Sequence, residues 1–182
     1  AYGHWLIILL LGGFIISTAL EESGAHRRIA FRLIRFVGTD SHRRLVFGFM
    51  LASACLSMWI SNTATTLMLL PVALAAIAQD TSGKLATPLL LGLAYAGSIG
   101  GMATPIGTPP NLVALAAMKE QFGIDVGFAE WMAVGVPVVI GFLPIAWLYL
   151  TRKLGPLHRS TYPLLSGRCA SRRCGSLSSL RR

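Results

Sequence analysis

Residues other than Asp, Glu, Lys and Arg fill four uninterrupted blocks of this chain: 1–20, 45–79, 85–118 and 131–151. A helix needs roughly 20 apolar residues to cross a hydrocarbon core, so the blocks predict an all-α polytopic membrane protein. Two blocks are broken near their middles. The first carries Ser61, Asn62, Thr63, Thr65 and Thr66 within "MWISNTATTLMLLP" at 58–71. The second contains "TPIGTPPN" at 104–111, where Pro105, Pro109 and Pro110 lack the amide hydrogen that a helix interior requires.

The lengths on either side of these breaks suggest how each segment runs. Segments 45–60 and 64–78 are about 15 residues each, or roughly 22–24 Å of helix against a core of about 30 Å. Two short arms with a polar tip suit a re-entrant hairpin over 45–78, with two thin complete spans as the alternative. The run 85–118 is too long for one straight crossing. It predicts a broken transmembrane helix in two pieces, 85–103 and 111–118. Residues 5–20 read as a further span with Trp5 at the interface, and 131–151 as another. Between them, "EESGAHRRIAFRLIRFVG" at 21–38 places Ile29, Leu33, Phe36 and Val37 at helical spacing, with Arg28, Arg32 and Arg35 on another face. That predicts a basic amphipathic helix in the headgroup plane.

Basic residues then assign the sides of the membrane. The segment 21–44 holds six Arg, 79–84 holds Lys84, and the chain from 152 onward opens with "RKLGPLHR". These three are expected on the cytoplasmic side of a bacterial-type inner membrane. The segment 119–130, "KEQFGIDVGFAE", carries one Lys against three acids and is expected outside.

Composition agrees and removes one distraction. The 182 residues are 54% apolar and 13% charged, the wrong balance for a soluble domain. The net charge of +9 is not a nucleic-acid signature, because eight of the sixteen basic residues lie from Arg152 onward. The other eight face seven acids, so no nucleic-acid partner is expected. Three cysteines without a repeating pattern give neither a disulfide framework nor a zinc site. The chain opens inside an apolar run without a signal-peptide pattern, which suggests a piece of a larger protein. The Ser/Arg-rich end, 152–182, reads as a disordered tail, a membrane-surface basic patch or out-of-frame translation. His26, His42 and His158 sit in basic loops and are expected to be solvated. Gly97 and Gly101 form a small-xxx-small pair suited to close helix packing.

Neither broken block contains Arg, Lys, Asp, Glu or His. A site at the breaks must therefore handle charge with neutral groups and backbone. Hydroxyls and the Asn amide offer oxygens to a cation and hydrogens to an anion. The helix beginning near Thr63 adds unpaired amides that favour an anion, and carbonyls freed around Gly107 can ligate a small cation. Irregular backbone at membrane depth survives where it is buried or lines a cavity. Paired interruptions of this kind point to the substrate site of a secondary transporter.

The context "LSMWISNTATTLMLLPVA" followed by "SIGGMATPIGTPPN" resembles the divalent anion:sodium symporter family, which includes the di- and tricarboxylate transporters. The resemblance covers about residues 5–155. It implies two inverted repeats, each with one Ser-Asn-Thr tip and one broken helix, of which this chain carries the N-terminal one. By the same resemblance, Ser61, Asn62 and Thr63 would contact a small anionic substrate. Ser57, Ser61, Asn62 and a carbonyl at Gly107 would hold sodium as coupling ion, with Thr108 and Asn111 as weaker candidates. It further implies a homodimer of the full-length protein, with dimer contacts largely in parts of the chain missing here.

An enzyme is not expected, because a nucleophile at Ser61 or Thr63 would need a base within hydrogen-bond reach and no organic cofactor is indicated. The expected function is the N-terminal half of a transporter that symports sodium with divalent anions such as C4-dicarboxylates, citrate or sulfate. A non-transporting membrane scaffold, a degenerate copy and a cation-independent anion exchanger are the alternatives.

Overall fold

The computed structural model describes residues 22–37, 41–80 and 83–152, with isolated positions 8, 11, 12, 15, 18 and 19 before them. The expected first span, apart from those positions, and the tail beyond Arg152 lie outside the described residues. Every regular element among the described residues is helical. The helices are α1 (Ala25–Val37), α2 (His42–Ser57), α3 (Asn62–Ile77), α4 (Ala86–Gly101), α5 (Pro109–Phe122) and α6 (Phe128–Thr151).

The most extensive packing is between α2 and α4, and α1, α3 and α6 are laid against this pair. Leu45, Phe49 and Ala52 of α2 meet Leu89, Leu93 and Ala96 of α4 in one core, which Leu69 and Ala73 of α3 and Leu143 of α6 complete. Close approach is possible because α4 is rich in glycine. A Cβ on Gly100 would overlap the backbone of Ala54, so a side chain there would push the two helices apart. Where lipid removes the hydrophobic drive between helices, such close backbone contact is what holds them.

Helices α3 and α5 begin earlier than the apolar pattern suggested. Helix α3 starts at Asn62 because Ser61 acts as its N-cap, its Oγ accepting from the Ala64 amide at 3.3 Å. Helix α5 starts on Pro109 and Pro110. Those prolines end nothing: they occupy the first turn, where an amide would have no partner anyway. Helix α6, of 24 residues, is the one described helix long and apolar enough to cross a membrane, with a mean hydropathy of 2.1 over its most apolar 18 residues.

Helix α1 packs one apolar stripe against the protein and leaves another apolar stripe open. Ala30 and Ile34 form its buried stripe, while Ile29 and Phe36 are exposed beside Arg28 and Arg32. Gly48 of α2 provides the notch: a Cβ there would lie 3.3 Å from the Ile34 Cα. The position of that notch, not the apolar period of α1 itself, selects which stripe is covered.

His42 is not solvated as expected. It is buried, with Nε2 3.4 Å from the Asp80 carboxylate, which is itself buried. The other Asp80 oxygen accepts the Leu85 amide at 3.0 Å. This contact ties the start of α2 to the linker after α3 and to the entry of α4. Beside it, Trp147 of α6 donates from Nε1 to the Arg43 carbonyl at 2.9 Å and packs edge-on against Phe47.

Candidate functional site

Helix α2 ends at Ser57, the chain turns through 58–61, and α3 begins at Asn62. With Ser61 taking the Ala64 amide, the Asn62 and Thr63 amides are first-turn donors without an acceptor in their own helix. Ser61 and Thr63 are exposed, and Asn62 is half-buried. Ser57 is fully buried. Its hydroxyl lies against the Asn62 side-chain oxygen and donates to the Gly97 carbonyl at 2.7 Å.

This three-oxygen contact is informative. A serine hydroxyl has one hydrogen and cannot satisfy two acceptors at once. Two arrangements resolve it. The Asn62 amide can turn its N–H toward Ser57 Oγ, since a half-turn of the amide exchanges its oxygen and nitrogen, or a small cation can be shared among the oxygens.

The second interruption, 102–108, comes to the same place. Thr104 is fully buried; its hydroxyl donates to the Met58 carbonyl at 2.6 Å and accepts from the Gly107 amide at 3.0 Å. One threonine therefore laces the two breaks together. Asn111 Nδ2 donates to the carbonyls of Gly101 and Thr104, each at 2.8 Å. Gly107 is buried against Gly101, where a Cβ on Gly107 would fall 2.5 Å from the Gly101 carbonyl oxygen. Thr108 is the N-cap of α5 yet makes no side-chain cap bond. Pro110 at the second position offers no amide, and the Asn111 amide at the third goes to the Thr108 carbonyl at 3.1 Å.

Gly101 is the hub. A Cβ there would sit 2.6 Å from Asn62 Oδ1 and 2.7 Å from the Thr108 methyl. Of the sequence candidates, Asn62, Thr108, Asn111 and Gly107 thus surround Gly101, and Ser57 joins them through Asn62. Ser61 and Thr63 stand on the exposed side of the tip. Thr66 is turned back on its own helix, its hydroxyl donating to the Asn62 carbonyl at 2.8 Å. Thr65 is buried with no hydrogen-bond partner for its hydroxyl.

Sequence reading missed four residues. They are Gly97, through its carbonyl; Gly101, as a contact and not only a packing position; Thr104; and Trp131. Trp131 donates from Nε1 to the Met102 carbonyl at 3.1 Å. One turn further on, Gly135 lets α6 approach, a Cβ there falling 2.9 Å from the Met102 and Ala103 carbonyl oxygens. Thr104 carried a faint signal, since a residue before proline is biased toward extended backbone and rarely sits inside a helix. Trp131 carried none, because its partner lies 29 residues away.

The model of the citrate transporter family matches residues 1–172. The sodium-dependent dicarboxylate transporter SdcS of Staphylococcus saprophyticus is 40% identical over 160 residues, covering 82% of this chain and 31% of that protein. The same transporter in two Staphylococcus aureus strains is 41% identical over equal shares.

The chain belongs to the citrate transporter family.

Membership makes it an integral membrane protein from a family of transporters, not enzymes. It also agrees with the resemblance to sodium-coupled anion carriers, because these relatives are named for sodium dependence and for dicarboxylates. The chain spans about a third of the length of these relatives (31%).

Proposed function

We propose that this chain supplies one side of the transport site of a sodium-coupled carrier for divalent organic anions, C4-dicarboxylates first and citrate second. The observation that carries this reading is the gathering of Asn62, Thr108 and Asn111 around Gly101, with Ser57 behind Asn62. In the proposed site, sodium rests among the Ser57 hydroxyl, the Asn62 side-chain oxygen and nearby carbonyls, those of Gly97 and Gly107 included, with Ser61 at the rim. The anion is met by the Asn62 and Thr63 amides and by the Thr63 hydroxyl at the α3 N-terminus. Such a terminus stabilises an anion by about 0.3–1 kcal/mol, and by up to about 2 when partly buried. Each ion offsets the other's charge, so sodium tightens anion binding and the anion tightens sodium binding by the same factor.

The proposed topology follows the helix lengths. Helices α2 and α3 have 16 residues each, about 24 Å, and form the arms of a re-entrant hairpin over 45–78. Helices α4 and α5 form the two pieces of one broken crossing. Segments 21–44 and 79–84, together with residues from 152 onward, face the cytoplasm across an inner membrane, and 119–130 faces outward.

A second reading, anion exchange without sodium, is favoured by one observation: the Asn62 amide can satisfy Ser57 with its own N–H and leave no vacancy for a cation. One experiment separates the two. Residues 1–152 would replace the matched region of the S. aureus relative in proteoliposomes, and uptake of labelled succinate would be followed with and without a sodium gradient. Sodium-driven, saturable uptake that Asn62→Ala abolishes is the expected result. Uptake indifferent to sodium would select exchange, and no uptake from a folded chimaera would leave a scaffold.

A further inference from the structure

Two grooves flank the C-terminal end of α6, away from the candidate site. One, of about 760 Å³, runs between the entry of α4 and α6 and is lined by Lys84, Thr87, Pro88, Tyr149, Leu150 and Arg152, among others. The other, of about 480 Å³, is lined by Arg43, Ile145, Leu148, Tyr149, Thr151 and Arg152. Tyr149 and Arg152 belong to both, so the grooves meet across one turn of helix. Lys84 and Arg152 in one groove, and Arg43 and Arg152 in the other, lie beside apolar walls, and no acidic side chain is among the described residues lining either groove.

The apolar wall continues up the helix. Val134, Val138, Phe142, Ile145 and Tyr149 recur every three or four residues and are all exposed. That stripe is about 22 Å long at 1.5 Å per residue, close to the length of an extended fatty acyl chain. Tyr149 marks its polar end, as tyrosines do at a membrane interface. Basic pockets between helices at the cytoplasmic surface suit anionic headgroups.

We propose that this end of α6 binds one anionic phospholipid. The phosphate sits among Lys84, Arg43 and Arg152, the Thr87 and Tyr149 hydroxyls are available to its oxygens, and one acyl chain follows the stripe toward Val134. The proposal rests on the chain being a membrane protein and is independent of what it transports.

The test is lipid retention by the purified chain in neutral detergent, counted by native mass spectrometry after titration with phosphatidylglycerol or phosphatidylcholine. One phosphatidylglycerol should be retained in clear preference to phosphatidylcholine. The double variant Lys84→Gln/Arg152→Gln should weaken that retention about 25-fold, roughly five-fold for each lost cation. Arg28→Gln/Arg32→Gln removes the same charge from α1 and should leave retention unchanged. Ile145→Glu keeps all three cations, places a carboxylate on the acyl path, and should also release the lipid. Equal retention of the two lipids, equal loss in both charge variants, or unchanged retention in Ile145→Glu would each overturn the proposal. Displacement of phosphatidylglycerol by inorganic phosphate would also overturn it, in favour of a small-anion site.

Discussion

At 58–61 the chain turns in four residues and leaves Trp59 and Ser61 exposed, with Thr63 just beyond, whereas at 102–108 it takes seven and buries Ala103, Thr104, Pro105 and Gly107. The first break is held by its own serine cap, by Ser57 and by Thr104 at the Met58 carbonyl. The second is held from three sides: Asn111 binds its carbonyls from α5, Trp131 from α6, and Thr104 reaches across to Met58. They also differ in what they offer. The α3 terminus presents amides, while two prolines strip amides from the α5 terminus and leave a loop whose free chemistry is carbonyl oxygen. A donor-rich, open break beside an acceptor-rich, anchored one is what the proposed pairing of an anion with a cation requires.

The largest effect should come from closing the space between the two breaks. Gly101→Ala would place a methyl group 2.6 Å from Asn62 Oδ1. It should reduce succinate uptake in the reconstituted chimaera by two orders of magnitude or more, because the Asn62 and Thr108 side chains must leave the positions they hold in the proposed site. Retained uptake would mean that Asn62 does not work from the position it holds against α4.

Next is the lace itself. Thr104→Val keeps the shape but removes one donated and one accepted hydrogen bond, leaving the Met58 carbonyl and Gly107 amide unpaired in a buried place. At roughly 1–3 kcal/mol for an unsatisfied buried group, half-maximal sodium should rise on the order of ten-fold or more. Thr104→Ser restores the hydroxyl and should recover most of the loss. Failure of serine to rescue would shift the role of Thr104 from hydrogen bonding to packing.

Trp131→Phe is gentler. It removes the bond to the Met102 carbonyl while keeping an aromatic ring, at a net cost of about 1 kcal/mol. The expected result is a rise of about five-fold in half-maximal sodium with little change in maximal rate. A change confined to maximal rate would place Trp131 in a moving step instead of in site geometry.

The smallest effect is expected at Thr65. Its buried hydroxyl has no partner, so the isosteric Thr65→Val should leave uptake unchanged and raise the melting temperature slightly. Lost uptake would make Thr65 a ligand, and would give the first break a buried arm that matches the second.

Much of this was legible in residue order, and what was hidden has a common character. The polar tip before Asn62, the break around Pro105, the all-helical class and the absence of Arg, Lys, Asp, Glu and His from 45–79 and 85–118 all follow from local composition. The covered stripe of α1 did not, because it depends on where Gly48 opens α2. Nor did the burial of His42, because Asp80 arrives from beyond two helices. The small-residue pair Gly97 and Gly101 was read as a packing surface. It packs, and it also supplies the carbonyl and the open face that Ser57 and Asn62 use.

The sequence by itself determined that this chain is a membrane-embedded helical protein with two polar breaks, since charge-free length, a capping serine and missing proline amides act over a few residues. The tertiary structure alone decided which groups meet. Thr104 finds Met58 across 46 residues, and Ser57 finds Gly97 across 40. Partnerships at that range depend on how closely helices approach and in what register, which no local pattern of apolar and polar positions specifies.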